Sequence, residues 1–482
     1  MNYRMIINII AKLLAVEALF MLPALAIALA KGESGSVMAF ALVIILMLSL
    51  TLPIVLRKGG NKNFFAREGL LTVGIGWILV SAFGALPFCI SGAIPNYIDC
   101  FFETVSGFTT TGATILEDIE IMPMSMLYWR SFTHWLGGMG VLVFMMILSP
   151  LTGKDGGENM HLLRAESPGI KISKLVPRMK RSASILYTIY IFLTLLQIIL
   201  LLLGRVPLFD SVTIAFGTAG TGGFAIKNDS LASYSAYAQW VTTVFMIIFS
   251  VNFNIYFLVL LKQIKKVFKD EELRWFFIIV IAAIAIIAAN TFSLFNSFGE
   301  TLRHSAFQVA SIISTSGFCT VDFDKWPQIS RTLLVLLMFI GACAGSTGGG
   351  SKVVRVAVLM KSARRALYKA FNPRAVKHIY LDGEILEEET VGAVANYYLI
   401  YFLTLAISVI LVTVDGFSME TNFTAVVSCL NNVGPGMDAV GAVMNYSAFS
   451  AFSKIILSIV MLIGRLEIFP ILVIFVPQVW KK

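Results

Sequence analysis

Apolar residues run in long, nearly unbroken stretches along this chain, and polar residues gather between them in short clusters that recur. Ten stretches reach the length a helix needs to cross a bilayer, about 20 residues. They lie near 6–30, 37–56, 69–92, 125–149, 183–203, 237–261, 275–294, 329–359, 391–414 and 449–477. The first is too long for a signal peptide and lacks a small-residue cleavage site, so it is expected to be mature structure. After Arg67 one pattern recurs four times. Each copy has a long apolar stretch, a shorter half-polar stretch, a knot rich in Gly, Thr and Ser, and a second long apolar stretch. Self-similarity at so long a period indicates duplicated membrane modules rather than a solenoid.

The half-polar stretches are Ile98–Phe108, Phe209–Thr218, Thr301–Ser314 and Glu420–Asn431. At 1.5 Å per residue, about 11 residues cover roughly 16 Å, half the hydrocarbon thickness. Each can enter the membrane and stop at the midplane, and the knot must then return to the same side. Non-helical backbone at that depth persists only inside protein or beside water. The predicted fold is an all-α integral membrane protein. It has four tandem helix–pore helix–helix units around a central pore, preceded by two extra transmembrane helices. The expected boundaries are 1–60 for the two N-terminal helices, then units at 61–152, 153–265, 266–372 and 373–482.

Composition agrees. Of the 482 residues 57% are hydrophobic and 13% charged, against about 25% charged in soluble domains. The mean hydropathy is +0.83. A net charge of +9 would suit nucleic acid, but its placement argues against that partner. Of 37 Lys and Arg, 28 fall at Arg4 and Lys12, Arg57–Arg67, Lys154–Arg181, Lys262–Arg274, Lys352–Lys377 and Lys481–Lys482. The opposite connections carry Glu117, Asp118, Glu120, Asp229, Asp322, Asp324 and Asp438. This positive-inside pattern predicts both termini in the cytoplasm and an even number of spans. The five Cys and four His are scattered, with no CxxC pair or ligand cluster, which gives a disulfide framework or a zinc site little support.

The knots carry the candidate chemistry. They read Phe-Thr-Thr-Thr-Gly-Ala-Thr at 108–114, Gly-Thr-Ala-Gly-Thr-Gly-Gly-Phe at 217–224, Ser-Thr-Ser-Gly-Phe at 314–318 and Asn-Asn-Val-Gly-Pro-Gly at 431–436. Taking Gly112, Gly222, Gly317 and Gly434 as equivalent gives spacings of 110, 95 and 117 residues. Each glycine follows small, often hydroxylated residues: Thr110 and Thr111, Gly220 and Thr221, Thr315 and Ser316. The fourth loop has Asn432 and Val433 instead. Four inward-turned strands of carbonyls can replace the water that a K+ ion sheds, and such strands need backbone angles open mainly to glycine. Each short helix opens near an acid, Asp99, Asp210, Glu300 or Glu420, as a helix N-terminus favours. Their C-terminal ends would then converge with partial negative charge, which attracts a cation. Ordinary turns or glycine contacts between membrane helices are the competing explanation. Four knots at one place in a fourfold repeat favour the cage.

The stretch near 329–359 is interrupted by Gly341–Ser351, in which Gly341, Gly345, Gly348, Gly349 and Gly350 each cost a helix up to about 1 kcal/mol relative to Ala. It should unwind within the membrane, where transport proteins place sites and gates. A nucleotide-binding loop fits poorly, since Ser351 separates Gly350 from Lys352 and no strand precedes it. A passive packing kink and a mobile gate both remain open. Arg465 lies roughly central to 449–477. An ionisable residue there is a functional candidate, with a local pair to Glu467 or snorkelling as the alternatives. His134 reads as a packing or interface residue, and Glu103 as a hydrogen-bonding brace for the first loop.

These four knots in order, spread over essentially the whole chain, resemble the TrkH/KtrB/HKT superfamily of K+ transporters. The two leading helices and the length look most like its TrkH branch. The resemblance implies a K+ selectivity filter at Thr110, Thr111, Gly112, Gly220, Thr221, Gly222, Thr315, Ser316, Gly317, Asn432, Val433 and Gly434. It also implies that the filter glycines favour K+ over Na+. Family variants with Ser in the first unit carry Na+, and Thr-Thr-Gly at 110–112 departs from them. None of the loops is Thr-Val-Gly-Tyr-Gly, so a shorter filter and more modest selectivity are expected than in a K+ channel. The family places an intramembrane loop in the third unit's inner helix and an arginine in the fourth's. That assigns the gate to Gly345, Ser346, Thr347, Gly348, Gly349, Gly350 and Arg465.

The resemblance further implies a multi-pass protein of the bacterial inner membrane and a homodimer with one pore per protomer. It implies a TrkA-like cytosolic ring as the nucleotide-binding partner, so that this chain carries K+ but no organic cofactor. The long basic connections 150–181 and 352–388 fit headgroup contact or that partner. Three functions compete: a gated channel-like K+ uptake pore, a Na+- or H+-coupled potassium symporter, and a membrane enzyme. A symporter would show inward acids in mid-span, and no convincing relay is present. An enzyme would show a Ser-His-Asp set, a metal cluster or paired mid-membrane carboxylates, and the sequence offers none.

Overall fold

The computed structural model describes residues 2–56, 66–140 and 179–480. The later part of the stretch 125–149, Arg57–Lys62, most of the connection Lys154–Arg181, and Lys481–Lys482 lie outside the described residues. The two expected N-terminal helices are present. The first runs as Tyr3–Phe20 and Leu22–Lys31, with Pro23 in the first turn of the second piece, and stops at Gly32 in the left-handed conformation. Ser34–Val55 then packs back against it.

From residue 66 the helices repeat in the order long, short, long. Ala66–Gly84, Tyr97–Phe108 and Met124–Gly138 come first, then Met179–Leu203, Leu208–Gly220 and Ala236–Ser250. The third set is Glu271–Thr291, Phe298–Ile313 and Gln328–Ile340, and the fourth is Glu388–Val412, Met419–Asn431 and Ala451–Arg465. We call the members of each set the outer, short and inner helix. Outer helices turn apolar side chains such as Ile278, Ile281, Leu399 and Ile410 to the exterior, as a lipid-facing surface requires. By length and composition six of the described helices suffice to cross a membrane.

The inner helices depart from the expected continuous spans. The stretch 237–261 bends by 90° between Ala236–Ser250 and Phe253–Leu260. Asn252 enforces the break by accepting the Asn254 N–H at 2.9 Å, which starts a new helix. The stretch 449–477 ends its helix at Arg465, passes through Glu467 and Ile468 at positive φ, and resumes as Phe469–Leu472. In the third set the expected interruption is present, with Val353–Phe371 following the glycine-rich loop.

The short helices hold 12, 13, 16 and 13 residues, or roughly 18–24 Å, too short to span about 30 Å of hydrocarbon. Asn96, Ser297 and Ser418 cap three of them by accepting backbone N–H groups, and Pro207 precedes the second. Asp99, Asp210, Glu300 and Glu420 all sit in the first turn, where the helix dipole favours a negative charge.

Candidate functional site

All four short helices end in the same way. The residue one or two places past the helix is left-handed: Thr110, Thr221, Thr315 and Asn432 have φ between 54° and 61°. The next N–H reaches back five residues to a helix carbonyl. Thr111 donates to Ser106 at 2.9 Å, Gly222 to Gly217 at 2.8 Å, Ser316 to Ser311 at 2.9 Å and Val433 to Ser428 at 2.9 Å. This is the Schellman closure, which satisfies orphan carbonyls at a helix end. Three of the four left-handed residues are threonine, a β-branched type seldom found there, so the surrounding packing must enforce the conformation.

This hydrogen bonding fixes the equivalence of the loops and corrects the spacing-based one. Thr110-Thr111-Gly112 matches Thr221-Gly222-Gly223, Thr315-Ser316-Gly317 and Asn432-Val433-Gly434. The second left-handed glycine is therefore Gly223, with φ 75°, beside Gly112 at 82°, Gly317 at 75° and Gly434 at 102°. Gly222 holds the middle position, and Gly220 is the last residue of its helix rather than part of the loop strand. The spacing took Gly222, the first of two adjacent glycines, and the five-residue bond with the φ of Gly223 moves the equivalence one residue on.

The four loops close a ring. A methyl group on Gly112 would run into the Gly222 carbonyl oxygen, and one on Gly223 into that of Ser316. One on Gly317 would meet the Val433 oxygen, and one on Gly434 would lie 2.7 Å from the Thr111 oxygen. Each left-handed glycine thus abuts the middle carbonyl of the next loop, in the order first, second, third, fourth and back to first. All these threonines, Ser316, Asn432 and Val433 are buried. Thr110 and Asn432 hold equivalent positions in adjacent loops, and Thr110 Oγ1 and Asn432 Oδ1 are buried acceptors with no hydrogen-bond partner among the described residues.

Side chains behind the ring hold its spacing. Asn432 Nδ2 donates to Thr111 Oγ1 at 3.0 Å and to the Met461 carbonyl at 2.9 Å, tying the fourth loop to the first. His134 is fully buried, as a packing residue would be. Its Nδ1–H donates to the Gly107 carbonyl at 2.7 Å, and its ring lies 4.1 Å from that of Phe224. That ring fills the space a Cβ on Gly222 would need, which explains glycine at a position with ordinary φ. On the outer rim the Ser418 and Thr421 hydroxyls donate to Asp438 and hold its carboxyl below the usual range.

At the loop end of the third and fourth short helices lies the interrupted segment 341–352. Gly349 N–H donates to Thr315 Oγ1 at 2.6 Å, and Gly350 N–H to the Asn431 carbonyl at 3.0 Å. The same segment completes the bend of the second inner helix. Cys343 N–H donates to the Ser250 carbonyl at 3.0 Å, and Phe253 N–H to the Gly345 carbonyl at 3.0 Å. Glu272 of the third outer helix accepts from Ala344 N–H at 2.7 Å and Val354 N–H at 3.2 Å, pinning both ends of the segment. Lys352 is buried and donates to the Gly348 carbonyl.

Arg465 meets this segment. Nη1 donates to the Thr347 carbonyl at 2.8 Å, and Nη2 donates to the Gly137 and Gly138 carbonyls of the first inner helix. Contrary to a mid-helix placement, Arg465 is the last residue of its helix. Glu467, its suggested local partner, pairs with Arg355 instead. Six of the seven residues expected to form a gate lie in this one segment, at 345–350, and the arginine meets them from 115 residues further along the chain. Sequence reasoning missed Gly223, Glu272 and Lys352. A glutamate in the first turn of an outer helix looks like an ordinary N-terminal acid, so nothing local marks Glu272.

Short helices that carry their loops into one closed ring, inside a shell of lipid-facing helices, define a membrane transport protein built on re-entrant loops. The chain belongs to the TrkH family of cation transport proteins, whose profile matches residues 35–482. It is 36% identical over 424 residues to the Trk system potassium uptake protein TrkH of Salmonella typhimurium, covering 86% of each chain. To TrkH of Halomonas elongata it is 32% identical over 488 residues, covering 100% of both. The crystal structure of the potassium transporter TrkH from Vibrio parahaemolyticus superposes with a TM-score of 0.89 at 31% identity over the whole of both chains.

Proposed function

We propose that this protein takes up K+ through a gated, channel-like pore selective for K+ over Na+. The closed ring of four loops carries the reading: the Thr111, Gly222, Ser316 and Val433 carbonyls each lie against the left-handed glycine of the preceding loop, and Thr110 and Asn432 of the same loops hold buried oxygens unpartnered among the described residues. A dehydrated monovalent cation needs several oxygens at once, and such a ring can supply them. The names of the relatives, potassium uptake proteins, support the choice of ion. The filter is assigned to Thr110, Thr111, Gly112, Thr221, Gly222, Gly223, Thr315, Ser316, Gly317, Asn432, Val433 and Gly434. The four pore units are assigned to 61–152, 153–265, 266–372 and 373–482.

Residues 345–350 with Arg465 form the gate. The loop hydrogen-bonds to the Thr315 side chain, so a closed loop lies against the ion path. The helix Val353–Phe371 follows the loop directly and leaves Arg364, Leu367, Lys369 and Phe371 exposed. It is the natural handle for a TrkA-like cytosolic ring that binds nucleotide and draws the loop aside. The protein works as a homodimer in the bacterial inner membrane, with both termini cytoplasmic.

The test is K+ flux into liposomes that contain the purified chain alone. Uptake should follow the K+ gradient without Na+ or a pH gradient, and Na+ should compete weakly. Uptake that stops when Na+ or the pH gradient is removed would replace the channel-like reading with coupled symport. Equal passage of K+ and Na+ would remove the filter assignment.

A further inference from the structure

The ring is supported unequally. In the first short helix Glu103 is buried and faces the exit strand of its own loop. Its Oε1 accepts from Thr114 Oγ1 at 2.9 Å and its Oε2 from Ile115 N–H at 3.0 Å. Arg130 of the first inner helix donates from Nε to Glu103 Oε1 at 2.6 Å, in a pair of which neither side chain is more than 2% exposed. The same guanidinium reaches the second loop. Nη1 donates to the Ala225 carbonyl at 2.8 Å, and the carbon of the fork lies 3.5 Å from the centre of the Phe224 ring. His134, one turn along the same helix, packs on that ring too.

The register of the loops makes Thr114 and Ala225 equivalent, each two residues past its left-handed glycine. The pair therefore grips the same point of two adjacent loops. The positions that match Glu103 in the other short helices are Ile214, Gln308 and Ala425, so only the first carries a charge. A buried ion pair is a poor source of stability, because desolvation consumes most of its attraction. A planar fork that bonds two loops and stacks on an aromatic ring does fix distance and orientation.

We propose that Glu103 and Arg130 are positioning residues for selectivity: together they set the separation of the first and second loops, and with it the size of the cage. This rests on the filter reading above. K+ and Na+ differ in radius by a fraction of an ångström, so a strut that sets this separation acts on discrimination before it acts on conduction. Stability by itself would not require a two-loop grip.

The experiment uses Glu103→Gln and Arg130→Lys in the full chain, with Gly112→Ser alongside. Glu103→Gln keeps the shape and one acceptor but loses the charge. Arg130→Lys keeps the charge but cannot bond two loops and stack at once. Rb+ uptake by intact cells, with Na+ as competitor, reads selectivity per conducting molecule even at low abundance. Both variants should keep conducting while the preference over Na+ falls by roughly tenfold, the loss expected from one hydrogen-bonded support. If abundance or Tm falls but the preference of the conducting molecules stays at the wild-type value, the pair is structural only and the proposal is overturned. Loss of conduction in both variants, without any admission of Na+, overturns it as well. If Gly112→Ser also leaves the preference unchanged, the filter assignment itself fails. A shift with Gly112→Ser alone leaves the filter standing and removes only the strut.

Discussion

Arg465 Nη1 donates to the Thr347 carbonyl oxygen across 2.8 Å, joining the end of the fourth inner helix to the middle of the third unit's loop. Its other nitrogen binds the last turn of the first inner helix. One guanidinium thus satisfies three carbonyls from two separate chain segments, and its planar fork of donors fixes their spacing more rigidly than a freely rotating ammonium would.

Replacing this residue should loosen the loop. Arg465→Ala is expected to raise K+ flux through the isolated protein several-fold, and Arg465→Lys to give an intermediate value. Flux is measured in liposomes at fixed K+ gradient. Wild-type flux in the alanine variant would take Arg465 out of the gate.

Glu272 pins both ends of the same segment through Ala344 and Val354. Removing that acceptor leaves two N–H groups without their partner, at about 1–3 kcal/mol each if they stay buried. Glu272→Ala should raise flux as Arg465→Ala does, and Glu272→Gln, which retains an acceptor, should raise it less. Shortening 345–350 should raise it most. A closed, wild-type-like conductance in the shortened protein would contradict the role of the loop.

The corrected register of the second loop is testable by rescue. Gly222→Ala fails because its methyl overlaps the His134 ring, so His134→Ala should restore folding and uptake to the double variant. Gly223→Ala faces the Ser316 carbonyl and a left-handed φ that costs a side chain about 1–2 kcal/mol. His134→Ala should leave that variant impaired. Equal rescue of both glycines would argue for the spacing-based register.

An ion that binds only the folded ring stabilises it by mass action, by about 2.7 kcal/mol at a hundred times Kd. Tm should rise as K+ replaces Na+ at constant ionic strength, and the difference should shrink in Gly112→Ser. Identical melting curves in the two salts would count against a K+ site between the loops.

Much of this protein follows from length and composition along the chain. Unbroken apolar stretches had to become lipid-facing helices, because a bilayer offers the backbone no water. Half-length stretches had to turn back, and glycine, threonine and serine at those turns mark backbone that leaves the helix. The acids at Asp99, Asp210, Glu300 and Glu420 answer to the dipole of their own helix. All of these are local causes, and each leaves its trace within about fifteen residues.

Contacts between distant segments decided the rest. Only the approach of the third loop's Ser316 carbonyl shows that Gly223, and not Gly222, is the left-handed glycine that abuts the next loop. Only the packed bundle sets Arg465 against Thr347 and Gly137, and Glu272 against the two ends of the loop. The bend at Asn252 lies in a stretch as apolar as its neighbours, and the segment from the third unit supplies the bonds that hold it. Hydrogen-bond partners 72 or more residues apart impose no periodicity on either segment. They exist because a buried donor or acceptor must find a partner, and the closed bundle determines which one is within reach.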